Sequence, residues 1–415
     1  MSALMRRPLP RTDVRHRPVG AGYPVWVFFA QLSFVRFMFI DFGTVHGLNP
    51  QPQFLLSLVI GLPMVVLAPR GTFARTRVSL TVVLFFTWWT LSYVWSTLRV
   101  TWVSESMTVF ASIMALTMIA SALPMEHLRS VWLNTLYAMV AYTFLFTAAK
   151  PSSTVLANDT TGGIANVGWH GPFNHKNNLA SFMIVGMVVV LSLERVTWRR
   201  RTAVGLMFLL VLLTRSGTGG GAMFATLAVY VIAGRYAKQS TRRGGAMLAM
   251  SVLLSIVAIS AASLIVPSIL QLYGKDPTLT GRTKIWSSVL TAIRAKPLTG
   301  YGFGGVWVDP SKEPTRSILH RIGFVVFHSH NGALELMIEL GIIGLVLYFG
   351  VFIAVLDGGC RILRANPAIG RLVLAYCMFV FISSFTEVLT LGPWLSLLVF
   401  LRVLSLRLLS EDPSG

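Results

Sequence analysis

Long apolar runs broken by short polar connections organise nearly the whole chain. Runs near the length of a membrane-crossing helix recur at about 23–40, 54–68, 78–97, 106–123, 131–149, 178–193, 202–213, 217–233, 245–270, 332–356, 372–385 and 391–408. A bilayer core of about 30 Å asks for about 20 mostly apolar helical residues. The pattern therefore predicts an all-α polytopic membrane protein with about twelve transmembrane helices. One connection, from 271 to about 331, runs to roughly 60 residues, far beyond the usual loop, and such lengths are either functional or disordered. The expected organisation is a basic arm at 1–22, nine helices over 23–270, a long external loop at 271–330, three helices over 331–408 and a short tail at 409–415. No internal repeat, low-complexity tract or Pro- and Ser-rich linker sets off a soluble domain.

Charge orients this map. Lys and Arg collect in short cytoplasmic connections and avoid short external ones. With the N-terminus inside, the inner segments hold 22 basic residues, among them the five Arg of the first 17 residues, Arg129, Arg195, Arg199 to Arg201, Arg361, Arg364 and Arg371. The short outer connections hold four: Arg99, Lys150, Lys176 and Arg215. Both termini are thus expected in the cytoplasm. The basic arm resembles a signal n-region, but no small-residue cleavage site follows the first apolar run, so it is expected to stay as an anchor.

Composition agrees. Apolar residues make up 54% of the chain and charged residues 12%, about half the charge that a soluble domain carries. The formal charge of +20 would suggest a nucleic-acid partner in a soluble protein; here orientation and contact with anionic lipid account for it, and no nucleic acid is expected. Cys360 and Cys377 lie 17 residues apart without companion Cys or His spacing, which argues against a zinc site or a disulfide framework.

Candidate chemistry gathers in the outer segments. The long loop carries eight basic and three acidic residues, and an excess of positive charge beside lipid head groups suits capture of a phosphate or diphosphate. Residues 284–293 place Ile285, Trp286, Val289, Leu290 and Ile293 on one helical face, with Ser287 and Ser288 away from it, which predicts a short helix lying on the membrane. Its N-terminus at 280–283 would present free amides to an anion, with Arg282 placed to grip it. His328 and His330 fall at the mouth of the tenth run. An imidazole there is a natural general base. Metal binding lacks a third ligand nearby in sequence, so no metal is expected. Arg215 sits beside a glycine-rich helix start without the Walker ending; the glycines suit close helix packing, and Arg215 a second phosphate clamp. At 171–178, aromatics next to His175, Lys176 and Asn177 suit either a sugar ring or a helix cap at Asn177 or Asn178. Arg36 and Asp41 can pair near the outer end of the first run. Glu335 and Glu339 sit one turn apart, and Glu339 either orients a neighbouring base or arginine or makes a helix contact.

Three of these segments, in order, resemble the O-antigen ligase and polymerase superfamily of bacterial membrane proteins. They are Thr280-Gly281-Arg282-Thr283-Lys284-Ile285-Trp286, then Pro297-Leu298-Thr299-Gly300-Tyr301-Gly302-Phe303-Gly304, then His328-Ser329-His330-Asn331-Gly332 continuing to Glu335, Glu339 and Gly341. The Phe173-Asn174-His175-Lys176-Asn177 stretch is similar to the branch that includes exopolysaccharide polymerases. The resemblance implies a GT-C-like membrane glycosyltransferase of the bacterial cytoplasmic membrane, working without nucleotide, metal or other cofactor. It would move an undecaprenyl-diphosphate-linked glycan to an acceptor hydroxyl of a glycan or lipid-linked acceptor, with polysaccharide assembly proteins as partners. It makes His330 the base, Arg282 the diphosphate clamp and Arg215, more loosely, a second clamp; Asn331, His328, Trp286, His175, Lys176, Asn177 and Glu339 are the expected substrate contacts.

A lipid diphosphate leaves readily once its charge is neutralised, so cations and one base suffice without a carboxylate acid–base pair, and displacement in one step inverts the anomeric centre. Nearby arginines should keep His330 neutral. A polymerase is favoured by the 173–177 stretch, with a ligase next and transfer to protein as a further enzyme. A flippase for the same lipid would place its charges near the bilayer midplane, whereas here they cluster outside.

Overall fold

The computed structural model describes residues 23–41, 50–69, 72, 76–156, 168–237 and 281–411. Seven of its helices are long and apolar enough to cross a membrane, which makes the chain a multi-pass membrane protein. They are α1 (Tyr23–Arg36, continued by a π-helical turn to Asp41), α4 (Arg99–Ala122), α5 (Met125–Ala149), α6 (Lys176–Leu193), α8 (Gly217–Tyr236), α11 (Gly332–Ala365) and α13 (Gly392–Glu411). Shorter helices α2 (Pro50–Val66), α3 (Leu80–Leu91), α7 (Trp198–Leu213) and α12 (Pro367–Ser383) occupy further positions where apolar runs predict spans. The run at 245–270, the arm at 1–22 and the start of the long loop at 271–280 lie outside the described residues. A two-residue antiparallel pair, Val155–Leu156 with Gly168–Trp169, is an exception to the helical pattern.

Burial separates the centre of the bundle from its lipid-facing ring. The most apolar windows of α6 and α13 are 72% and 61% buried, against 39% for α1, α4 and α8. Large side chains left exposed on the outer helices, such as Leu84, Val100 and Phe224, are what a helix bundle presents to hydrocarbon rather than to water. Hydrogen bonds between connections put 95–97, 177, 216, 282, 299–305, 332 and 384–387 at one end of the bundle. Arg129, Arg199 to Arg201, Arg235 and Arg364 belong to the other.

One charged pair lies inside the bundle near the end of α1. Arg36 and Asp41 form a salt bridge of 2.9 Å, and Ser112 binds both. At the first end three helix starts carry side-chain caps. His175 Nδ1 accepts the Asn177 N–H, Ser216 Oγ accepts that of Gly219, and Asn331 Oδ1 accepts those of Ala333 and Leu334. The expected cap of the sixth span at Asn177 or Asn178 is thus corrected to His175, which frees the Asn177 side chain for other work.

The described part of the long loop folds on itself. It holds α9 (Arg282–Ala295) and α10 (Thr315–Ile322), and Ile285, Val289 and Ile293 pack with Trp307, Ile318 and Ile322 in a small core of their own. The helix predicted to lie on the membrane thus turns its apolar face to protein. Ser288 is buried and Leu290 is 40% exposed, the reverse of the sequence expectation, because α10 and the Trp307 turn, not lipid, define the face. The glycine-rich turn after α9 lies on the 92–99 connection: Trp95 Nε1 donates to Thr299 O and Thr97 Oγ1 to Gly305 O. At Gly302 (φ +86°) a Cβ would lie 2.4 Å from Ser96 Cα. The 297–298 carbonyls accept the amides of Ile342 and Ile343, where α11 breaks at Gly341 (φ 70°).

Candidate active site

Four segments far apart in sequence meet on one carboxylate at the end of the bundle where the long loop sits. Glu387 lies in the turn between α12 and α13. Its Oε1 accepts Arg282 Nη2 at 3.0 Å and Asn177 Nδ2 at 2.6 Å, while Oε2 stands 3.8 Å from His330 Nδ1. Asn177 Oδ1 in turn accepts Ser216 Oγ at 2.8 Å, which ties the starts of α6 and α8 into the same cluster. The turn carrying Glu387 is fixed by its own backbone, with Glu387 N–H on Ser383 O and Gly332 N–H on Ser384 O.

His330 stands at the head of α11 with φ +52°. A residue with a Cβ pays about 1–2 kcal/mol in that region, and such strain collects at functional sites. Among the described residues the non-glycine residues with positive φ are Arg215, Trp307 and His330, all at this end of the bundle. The ring of His328 lies 4.0 Å from that of His330, and its Nδ1 accepts the His330 N–H. Trp286 Nε1 donates to Ser329 O, Ser329 N–H donates to Glu335 Oε2, and Trp307 Nε1 to Glu335 Oε1. The histidine segment is therefore held from both sides.

Electrostatics follow from burial and from Glu387. Burial alone would raise the Glu387 carboxyl, but the His330 ring and the Arg282 charge outweigh it and leave the group below the ordinary glutamate range. His328 is pushed down to about 4 by burial, with His330 adding to the fall. His175 is also lowered, first by burial, with Glu387 opposing and Lys176, His330 and Arg282 reinforcing. At neutral pH the cluster thus pairs an ionised Glu387 with a neutral His328.

The structure brings together His330, Arg282, His328, His175, Asn177 and Trp286 from the sequence-derived set, while Asn331 serves as the α11 cap. Arg215 is adjacent rather than central: it precedes Ser216, its side chain is exposed, and the stem of Lys176 approaches the same Gly168–Thr214 crossing. Glu339 does not join the cluster; it lines a neighbouring cavity with Glu335 and Glu105. Arg282, expected to grip a diphosphate, gives one of its nitrogens to Glu387; a guanidinium has further donors in its fork that an anion can use. Sequence reasoning missed Glu387. Its signal was an acidic residue in a stretch, 372–401, with no other charge. Glu387 also supplies the third group that sequence spacing lacked: His328, His330 and Glu387 offer ligand atoms within 4.8 Å of one another. A cation there would compete with Arg282 for the same carboxylate.

The sequence profile of the O-antigen ligase family matches residues 202–349, from α7 through the long loop and the histidines into α11. The exopolysaccharide production protein ExoQ of Rhizobium meliloti (strain 1021) is 32% identical over 133 residues, 30% of this chain and 30% of the relative. The chain thus matches less than a third of that relative's length. Taken with the three motifs, the two matches support membership of this chain in the O-antigen ligase and polymerase superfamily.

Proposed function

We propose that this protein is a membrane glycosyltransferase that moves a saccharide from a polyprenyl diphosphate, undecaprenyl diphosphate in a bacterial cytoplasmic membrane, to an acceptor hydroxyl at the outer face. The observation that carries the reading is the convergence of His330, Arg282 and Asn177 on Glu387 at one end of the bundle. Glu387 faces Nδ1 of His330, which favours the tautomer with the proton on that nitrogen and leaves the Nε2 lone pair for the acceptor. The acceptor oxygen bonds to the anomeric carbon and its proton passes to Nε2. The bond from that carbon to the diphosphate breaks, and its electron pair leaves with the lipid diphosphate. Arg282 and the exposed Arg215 offset the charge that builds on the leaving group. Displacement in a single step inverts the anomeric centre.

An apolar cleft of about 150 Å³ runs from Asn331 and Ser384 past Phe349, Phe352 and Phe381 between α11 and α12, a course that suits the isoprenoid tail of such a donor. Chain elongation is favoured over ligation by the His175-Lys176-Asn177 stretch and by the relative named for exopolysaccharide production. The basic residues at the opposite end of the bundle support placing the site at the outer face. Vesicles holding the purified protein and a defined polyprenyl-diphosphate saccharide test the proposal. Cleavage to free lipid diphosphate with growth of a glycan supports it, and passage of the intact lipid between leaflets makes the protein a flippase instead.

A further inference from the structure

Beside the His330 cluster lies a second cavity of about 410 Å³, within the roughly 300–1,000 Å³ usual for small-molecule sites. Its walls include Glu105, Glu335 and Glu339 with Phe303, Trp307 and Phe327. Phe327 and Val388 on its rim are the chain neighbours of His328 and Glu387, so the cavity borders the candidate active site. Both oxygens of Glu335 are engaged, by Trp307 Nε1 and Ser329 N–H. Glu339 is different. Its side chain is buried, it takes a backbone hydrogen bond from Gly304, and its Oε2 has no partner among the described residues. Leaving a buried carboxyl oxygen unmet is destabilising, a cost that a ligand hydroxyl would remove.

The chemistry of the walls selects the ligand. Among the described residues no Lys, Arg or His lines the cavity, so a diphosphate or an anionic sugar would find no counter-charge there, and three carboxyl groups are out of place around a lipid tail. They do not form a cation site: among the described residues the group with metal-ligand spacing is His328, His330 and Glu387. Carboxyl oxygens that accept from hydroxyls, next to aromatic faces that cover C–H groups, fit a sugar ring. Trp307 is held rigidly for this, its indole tied to Glu335 and its backbone at φ +76°.

We propose that this cavity holds the terminal uncharged sugar of the acceptor glycan, with Glu339 Oε2 accepting a hydrogen bond from one of its hydroxyls. The inference rests on the transferase reading and divides the work between a cationic side for the donor diphosphate and an acidic, aromatic side for the acceptor.

The test uses full-length protein in nanodiscs, a polyprenyl-diphosphate donor, and neutral and anionic tetrasaccharide fractions from partial acid hydrolysis of the host's surface polysaccharide. Glu339→Gln and Glu105→Gln should each raise the KM for neutral tetrasaccharide about tenfold with the donor KM unchanged, and the anionic fraction should be the poorer acceptor. Phe327→Ala, at a position 75% exposed and so without risk to folding, should act in the same direction. Saturation-transfer NMR with the neutral fraction and no donor should show binding that Phe327→Ala and Glu339→Gln weaken. Unchanged acceptor KM in all three variants, or a rise in donor KM instead, overturns the cavity assignment. Absence of transfer from any lipid donor overturns the transferase reading instead, and the NMR arm then decides on the cavity alone.

Discussion

Glu387 is the residue on which the site turns, because it holds a cation and an amide while facing the base. Glu387→Gln keeps the shape but loses the charge that faces His330 and offsets Arg282. We expect kcat to fall on the order of 10²-fold, the scale of losing a well-placed proton acceptor, with the KM for donor changing far less; steady-state kinetics on the reconstituted protein measure both. The histidines carry a pH signature. His328 is lowered from its ordinary value near 6.5 to about 4, so between those values the unfolded chain binds the proton that the folded site refuses. Stability is therefore full above about 6.5 and declines as the pH falls towards 4. Thermal denaturation in detergent across that range should show the decline, and His328→Asn should flatten it. The pair of histidines and Arg282 were legible in the sequence because each sits in a local motif. Glu387 was not: its partners lie 57, 105 and 210 positions away, and no local spacing announces contacts of that range.

At the scale of elements, the glycine turn at 300–305 seats the long loop on the 92–99 connection and on the break in α11, and thereby sets where α9 delivers Arg282. Gly302→Ala would force a Cβ into Ser96 at a positive φ, a combination that costs more than about 1 kcal/mol. Its melting temperature should drop, whereas Gly205→Ala, with nothing within 4 Å, should raise it slightly through the better helix propensity of alanine. The apolar period of α9 was legible and its orientation was not. Periodicity identifies which residues share a face; what covers that face here, Ile318, Ile322 and Trp307, comes from a segment about 20 to 30 positions on. Similarly, the helix starts at 176, 217 and 332 could be placed from apolar runs and small polar residues, yet the cap at 175 is a histidine, a residue outside the usual Ser, Thr, Asp and Asn set.

The whole molecule was the most legible level, since hydrocarbon imposes a simple length and polarity rule on every span. That rule also makes orientation testable. With Cys360 changed to serine, a membrane-impermeant maleimide added to intact spheroplasts should label Ser311→Cys in the long loop and leave Arg195→Cys, at the other end of the bundle, unlabelled until the membrane is opened. The reverse pattern would put the site in the cytoplasm. Orientation, donor and acceptor all meet at His330, and one measurement addresses that directly: single-turnover release of free polyprenyl diphosphate, with growth of the glycan, by wild-type and His330→Ala protein of equal melting temperature in the same nanodiscs. The proposal predicts rapid release by the wild type and a rate lower by about 10²- to 10⁴-fold for His330→Ala. Equal rates from the two proteins would contradict it.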